Sequence, residues 1–199
     1  MAQPNILLLN GCTSAGKTSL TRALQALLPD CWLRFGIDDA FSMLPDPLHN
    51  DRAGLWFDRD EWGDPRLNLG LDGRSALAAY RRAVVAMANA GARVIVDEVI
   101  LDDAARGDWL AVLPETAVVI CAVRCDLDEL CRRELARGDR LVGQARGQFR
   151  HVHDDMIYDL QIDTTRASPE ACARQIASRL ANPEPFVALE AMRRSRQVG

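Results

Sequence analysis

The segment Gly11-Cys12-Thr13-Ser14-Ala15-Gly16-Lys17-Thr18 fits the pattern G-x-x-x-x-G-K-[ST], and its flanks decide how it folds. Before it stands a short apolar run, Asn5-Ile6-Leu7-Leu8-Leu9. After it, Ser19 to Leu28 carries Leu20, Ala23, Leu24, Leu27 and Leu28 at helical spacing. The order is strand, glycine loop, helix, in which the loop's backbone N–H groups and the positive end of the helix converge on one phosphate site. Gly11 and Gly16 permit dihedrals and close approaches that a Cβ would block. Lys17 is the only lysine among 24 lysines and arginines. An ammonium is a compact point charge that fits inside a tight loop against phosphate oxygens, whereas a guanidinium is a broad planar fork. A chance match in a chain this long is expected at about one per cent. The candidate phosphate-binding set is Gly11, Cys12, Thr13, Ser14, Ala15, Gly16, Lys17, Thr18 and Ser19, with the Thr18 hydroxyl placed to bind Mg²⁺. Cys12 reads as a small filler, since no His partner stands beside it in sequence.

Composition limits the alternatives. A chain of 199 residues with 48% apolar content can bury one sizeable core. Its net charge of −4 gives no general attraction to nucleic acid. No stretch approaches the length of a membrane-spanning helix, and Met1-Ala2-Gln3-Pro4 lacks the basic start and apolar run of a signal peptide, so a cytoplasmic protein is expected. Cys12, Cys31, Cys121, Cys125, Cys131 and Cys172 contain no C-x-x-C pair and read as reduced core residues.

Further along, Trp32 to Ile37 reads as a second strand ending at Asp38-Asp39. Residues 45–73 hold prolines, glycines, acids and Trp56, Phe57 and Trp62, which predicts a long, partly irregular insertion on the acceptor side of a site. Leu77 to Ala90 is helical in spacing, and Ala92 to Asp97 is an almost wholly apolar strand of the kind found inside parallel sheets. A helix over Asp103–Leu113, a buried strand over 117–123, a helix from Asp126, a last short strand over Tyr158–Ile162 and a helix capped by Ser168 follow. Gly138 to Gln148 has the glycine- and arginine-rich composition of a mobile flap. The pattern predicts an α/β fold, a doubly wound five-stranded parallel sheet of P-loop NTPase type. One domain over residues 1–182 would carry a lid over 137–150, and 183–199 would be a peripheral tail.

Ligands in such sheets bind at the C-terminal strand ends. Asp97, directly after Val94-Ile95-Val96, is the candidate acid for Mg²⁺, with Glu98 a weaker one. Asp38 stands where a carboxylate could take a proton from a substrate hydroxyl; Asp39 is open as the base too, or as the cap of a short helix through Ala40-Phe41-Ser42. Arg133, Arg137 and Arg140, spaced by four and three, would line one face of a continuing helix and bring guanidinium groups onto a transferring phosphoryl. His151 and His153 read as structural or substrate-edge residues, and Asp163-Thr164-Thr165 could contact a purine.

With these residues in place, the chain resembles the chloramphenicol phosphotransferase family of phosphate-loop kinases over roughly residues 5 to 181. The likeness rests on Asn10-Gly11 through Lys17, Trp32-Leu33 with Phe35-Gly36-Ile37-Asp38, Val84 to Ala88 through Gly91 to Asp97, Val123-Arg124-Cys125-Asp126, Ala136-Arg137-Gly138-Asp139-Arg140 and Asp163-Thr164-Thr165. The resemblance implies transfer of the γ-phosphate of ATP, with Mg²⁺, to a hydroxyl of a small molecule. It further implies a fold of nucleotide-kinase type, Asp38 as the general base and a lid role for Arg137 and Arg140, beside Lys17 at the phosphates and Thr18 and Asp97 at the metal, which the residues themselves suggest. The departures lie between Leu44 and Ser75, around Trp56, Trp62, Asp58, Asp60, Glu61 and Asp64, where an acceptor pocket would be built. Two rival expectations are a nucleoside or nucleotide-sugar kinase of zeta-toxin type and a non-catalytic nucleotide-binding switch.

Overall fold

The structure, a computed structural model, describes residues 4–114, 118–182 and 184–198. Strand β1 (Ile6–Asn10) enters the phosphate loop and helix α1 (Lys17–Leu27) leaves it. Strand β2 (Trp32–Gly36) runs without a connecting loop into the short helix α2 (Ile37–Ser42). A single 3₁₀ turn (Asp46–Leu48) precedes strands β3 (Leu55–Arg59) and β4 (Pro65–Leu69), and α3 (Leu71–Asn89) returns the chain to strand β5 (Arg93–Glu98). Helix α4 (Asp103–Val112), strand β6 (Val118–Arg124), helices α5 (Leu127–Arg137) and α6 (Gln144–Phe149), strand β7 (Leu160–Asp163) and helices α7 (Pro169–Ala181) and α8 (Ala188–Val198) complete it.

The five strands of the main sheet lie in the order β2-β5-β1-β6-β7, all neighbours parallel. Strands β1, β5 and β6 are apolar on both faces because both faces are covered, as the near-continuous runs of Leu, Ile and Val foretold. Leu7, Leu9, Ile95, Val119 and Cys121 look toward α1 and α7; Ile6, Leu8, Val94, Val96 and Ile120 look toward α3, α4 and α8. Each side chain of this kind taken fully out of water stabilises the fold by roughly 1.5–3 kcal/mol.

The partly irregular insertion expected over 45–73 holds one ordered unit: β3 and β4 form an antiparallel hairpin pairing Asp58 with Arg66 and Phe57 with Leu67. Its turn closes because Asp60 Oδ1 accepts the N–H groups of Trp62 and Asp64, at 2.9 and 2.8 Å. The peripheral tail expected over 183–199 is not peripheral in its described part, since α8 buries Ala188, Leu189 and Met192 in the core on the α3 side of the sheet. Both ends of its contact are tied. Asp159 Oδ1 accepts the N–H of Val187 and Ala188 at 2.7 and 2.9 Å, and the Arg193 guanidinium donates to the carbonyls of Leu110 and Leu113, satisfying the open C-terminal end of α4. The segment 138–148 is not a loose flap throughout, because α6 packs Gln144, Ala145 and Gln148 inward. The expected strand residue Ala117 lies outside the described residues, and of the six cysteines, all free, Cys31 is exposed and Cys131 half-buried rather than core.

Candidate active site

The register brings the strand ends together. Asp97 lies level with Leu9 of β1 on one side and with Gly36 of β2 on the other. The phosphate loop, α2 and the end of β5 therefore meet at one edge of the sheet, where the topology reverses direction around β1. Asn10, the last residue of β1 and fully buried, locks this edge: its Nδ2 donates to Val152 O at 2.6 Å and its Oδ1 accepts from Ile100 N at 2.8 Å.

The loop turns through two left-handed residues, Ser14 at φ 61° and Gly16 at φ 84°. Such alternation leaves successive N–H groups pointing into one concavity. The amides of Ser14, Gly16, Lys17, Thr18 and Ser19 have no protein acceptor among the described residues. Lys17, 6% exposed, folds back over the loop and donates to the carbonyls of Gly11 (2.9 Å) and Cys12 (2.8 Å), with Asp97 Oδ1 at 3.5 Å. Cys12 is buried, and burial pushes its thiol up to about 12, so it is no nucleophile. Thr18 Oγ1 donates to Asp97 Oδ2 at 2.9 Å. Two hard oxygen donors side by side at the foot of an amide-lined loop fit Mg²⁺, which takes one or two protein oxygens and completes its shell with phosphate and water. Glu98 does not join them. Successive strand residues face opposite sides, so its carboxyl is 1% exposed and lies among Arg81, Tyr80 and Trp109, where burial pushes it up to about 7.

Across the cavity, the structure separates Asp38 from Asp39. Both stand in the first turn of α2 rather than at a strand end. Asp39 turns back to accept the Gly36 N–H at 2.7 Å and an Arg34 N–H at 3.3 Å, which caps the helix. Asp38 faces the opening with a largely exposed carboxylate, ion-paired to Arg140. The three arginines do not share one helix face. Helix α5 stops at Arg137 because Gly138 takes φ 69°, and each arginine finds a different partner. Arg133 is clamped between Glu129 Oε1 and Thr164 O, each at 2.7 Å; Arg137 pairs in two-pronged fashion with Asp139; Arg140 reaches Asp38. Arg137 and Arg140 nonetheless line a cavity of about 400 Å³ with Lys17, Thr18, Asp38 and Asp97, and Ile37, Phe41, Leu67, Val99 and Leu101 give it an apolar wall.

Several expectations fall outside this cavity. His153 Nδ1 lies 2.6 Å from the Tyr158 hydroxyl, and burial pushes its imidazole down to about 4; His151 pairs with Asp154 at 3.2 Å. Thr164 does not present itself to a base: its hydroxyl is within hydrogen-bond reach of Ala15 O and Arg124 O, binding the end of β7 to the phosphate loop. Sequence reasoning missed the residues that hold α6. Glu134, buried on α5, accepts the N–H groups of Gly143 and Ala145, both at 2.7 Å. Asp64, 1% exposed, pairs with Arg146 and, at 2.8 Å, with Arg150, which also reaches Asp60 at 3.1 Å. These two arginines hold the Asp64 carboxyl below the usual carboxylate range. Gln144 and Gln148, four apart on α6, line the cavity; that i, i+4 spacing was the one visible signal.

The parallel sheet, the phosphate loop at its edge and the acid beside it define a phosphate-loop kinase fold. Solved structures of that kind resemble it. A sugar kinase from Janibacter sp. superposes with a TM-score of 0.63 at 15% identity, covering 89% of this chain and 94% of its own. A Mycobacterium tuberculosis APS kinase bound to AMPPNP and APS gives 0.59 at 12%, over 92% and 100%. A shikimate kinase from Acinetobacter baumannii with shikimate gives 0.57 at 14%, over 89% and 92%. The family is narrower than the fold. Residues 4–181 match the family model described as chloramphenicol phosphotransferase-like protein, and the chain belongs to that family. Two Mycobacterium tuberculosis proteins, of strains CDC 1551 and H37Rv and provisionally named O-phosphotransferases, are each 35% identical to it over 88% of this chain and 82% of theirs.

Proposed function

We propose that the protein transfers the γ-phosphoryl group of ATP to a hydroxyl of a small molecule. The observation that carries this reading is one cavity with Lys17, Thr18 and Asp97 on one wall and an outward-facing carboxylate, Asp38, on the other. A nucleotide-binding switch has no need of that carboxylate. The loop amides and Lys17 would hold the β- and γ-phosphates, and Thr18 and Asp97 would hold Mg²⁺, which would supply neutralisation of the phosphate charge. Asp38 accepts the acceptor's proton as the hydroxyl oxygen forms its bond to phosphorus and the bond to the β-phosphate oxygen breaks. Incoming phosphate charge competes for Arg140, freeing Asp38 for the acceptor, and Arg140 and Arg137 then stabilise the charge that spreads over the phosphoryl oxygens. The apolar wall supports an acceptor with an apolar body beside its hydroxyl, of which chloramphenicol is one example. Family membership and the absence of any helix long and apolar enough to cross a membrane among the described residues support a cytoplasmic small-molecule enzyme.

The test is ADP release over chloramphenicol, nucleosides, nucleotide sugars and aminoglycosides. With the best acceptor, Asp38→Asn should lower kcat at least about 100-fold, the size of a general-base contribution, while ATP affinity stays within a few-fold. Full transfer by Asp38→Asn would remove Asp38 as base, and no acceptor-dependent ADP release from any hydroxyl compound would remove the reading.

A further inference from the structure

Gln148 is buried on α6, 9% exposed, and its side chain reaches 135 residues back along the chain to the phosphate loop: Oε1 accepts the Thr13 N–H at 2.7 Å. A backbone N–H can only donate, so the carboxamide oxygen faces Thr13 and the NH₂ group is left for the other side. That side is the cavity, which Gln148 lines with Lys17, Asp38, Arg137 and Arg140. Its Nε2 has no protein acceptor among the described residues. Thr13 follows Cys12, whose carbonyl holds the Lys17 ammonium at 2.8 Å, so the NH₂ group and the ammonium sit at the same end of the loop. The helix that carries Gln148 is fixed from two directions, by Glu134 on α5 and by Asp64 of the hairpin through Arg146 and Arg150.

From this geometry we infer that Gln148 is a further catalytic residue: its Nε2–H donates a hydrogen bond to an oxygen of the transferring phosphoryl group. The inference rests on the phosphotransfer reading and deepens it. A donor held in place before the reaction, by the loop on one side and by the hairpin on the other, costs no reorganisation when charge develops on those oxygens. Gln148 makes and breaks no covalent bond. The acceptor's proton still goes to Asp38, and the bridging oxygen leaves with the nucleoside diphosphate.

The test needs no acceptor. Affinities for ADP·Mg²⁺ alone and for ADP·Mg²⁺ with tetrafluoroaluminate, a planar mimic of the phosphoryl in transfer, are measured by calorimetry for the wild type, Gln148→Glu and Gln148→Leu. Glu keeps an oxygen for the Thr13 N–H and removes the NH₂; Leu removes both. The expected result is a loss of tenfold or more for the fluoroaluminate complex in Gln148→Glu, with ADP affinity changed by less than threefold, as for loss of one hydrogen bond to a charged group. If Glu binds the mimic as the wild type does and only Leu is impaired, Gln148 merely supports the loop and the inference is overturned. Equal losses for ADP and the mimic overturn it likewise. A wild-type protein that binds neither overturns the phosphotransfer reading itself, and the inference with it.

Discussion

Gly11→Ala should damage the protein through sterics alone, and the size of the damage can be worked from its surroundings. A Cβ at Gly11 would stand 2.3 Å from the carbonyl oxygen of Val123 and 3.2 Å from its Cβ. The first contact is about 1 Å inside ordinary van der Waals range, and the atom met is backbone of a central strand, which cannot swing aside. Either β1 and β6 part or the loop lifts. Lifting it displaces the Gly11 carbonyl that holds Lys17 Nζ at 2.9 Å. Overpacking of this kind costs about 1–3 kcal/mol, and more where backbone must move. In a chain of this length that is a fall in Tm of roughly 3–10 °C, together with weakened nucleotide binding. Gly63 provides the comparison. It has φ 81° and nothing within 4 Å of its missing Cβ, so Gly63→Ala meets strain without collision. Left-handed strain of about 1–2 kcal/mol is partly offset by the loss of freedom in the unfolded chain, leaving a shift of only a few degrees and unchanged nucleotide affinity. Thermal unfolding followed by circular dichroism and calorimetric titration with ADP·Mg²⁺ read both effects. A Gly11→Ala protein that melts and binds as the wild type does would refute the reasoning, as would equal damage at Gly63.

Two buried groups should oppose each other in the pH dependence of stability. Glu98, raised by burial from 4.5 to about 7, binds more protons folded than unfolded across that interval, so it takes stability away as pH rises. His153, lowered by burial from 6.5 to about 4, binds fewer protons folded, so its contribution is lost as pH falls. Denaturant titrations of Glu98→Gln should show stability rising from pH 4.5 to 6.5, at no more than about 1.4 kcal/mol per pH unit, and His153→Asn should show it falling; wild-type profiles in both would contradict the assignment. Apart from the N-terminal amine, an amine-selective reagent can modify only Lys17, which the loop carbonyls already shield. Peptide mapping should show slow labelling that ATP·Mg²⁺ suppresses further, and labelling indifferent to nucleotide would count against phosphate binding at this loop.

The parts of the fold written locally were legible. Strands β1, β5 and β6 are apolar because they are covered on both faces, and the glycine loop with α1 carries its own spacing. The hairpin was hidden by its acids: Asp58, Asp60 and Asp64 look like solvated charge in sequence, yet one pairs across the strands, one closes the turn and one is buried under two arginines. Helix α6 was hidden by its shortness and by Gly143 and Gly147. The choice between Asp38 and Asp39 turns on which carboxylate folds back to Gly36, a matter of three residues and one hydrogen bond that residue types alone leave open. Gln148 was out of reach, because its partner lies across the whole length of the domain.

The family match ends at residue 181, but the hydrophobic core does not. Helix α8 comes after that boundary and still covers the sheet with Ala188, Leu189 and Met192, while Arg193 closes the end of α4. Anyone who trims this chain to the matched segment will produce a protein with a greasy patch where α8 belongs and two orphaned carbonyls at the end of α4. Poor yield or clumping of such a fragment would then report on the missing helix, and inactivity measured on it would say nothing about the chemistry of the loop.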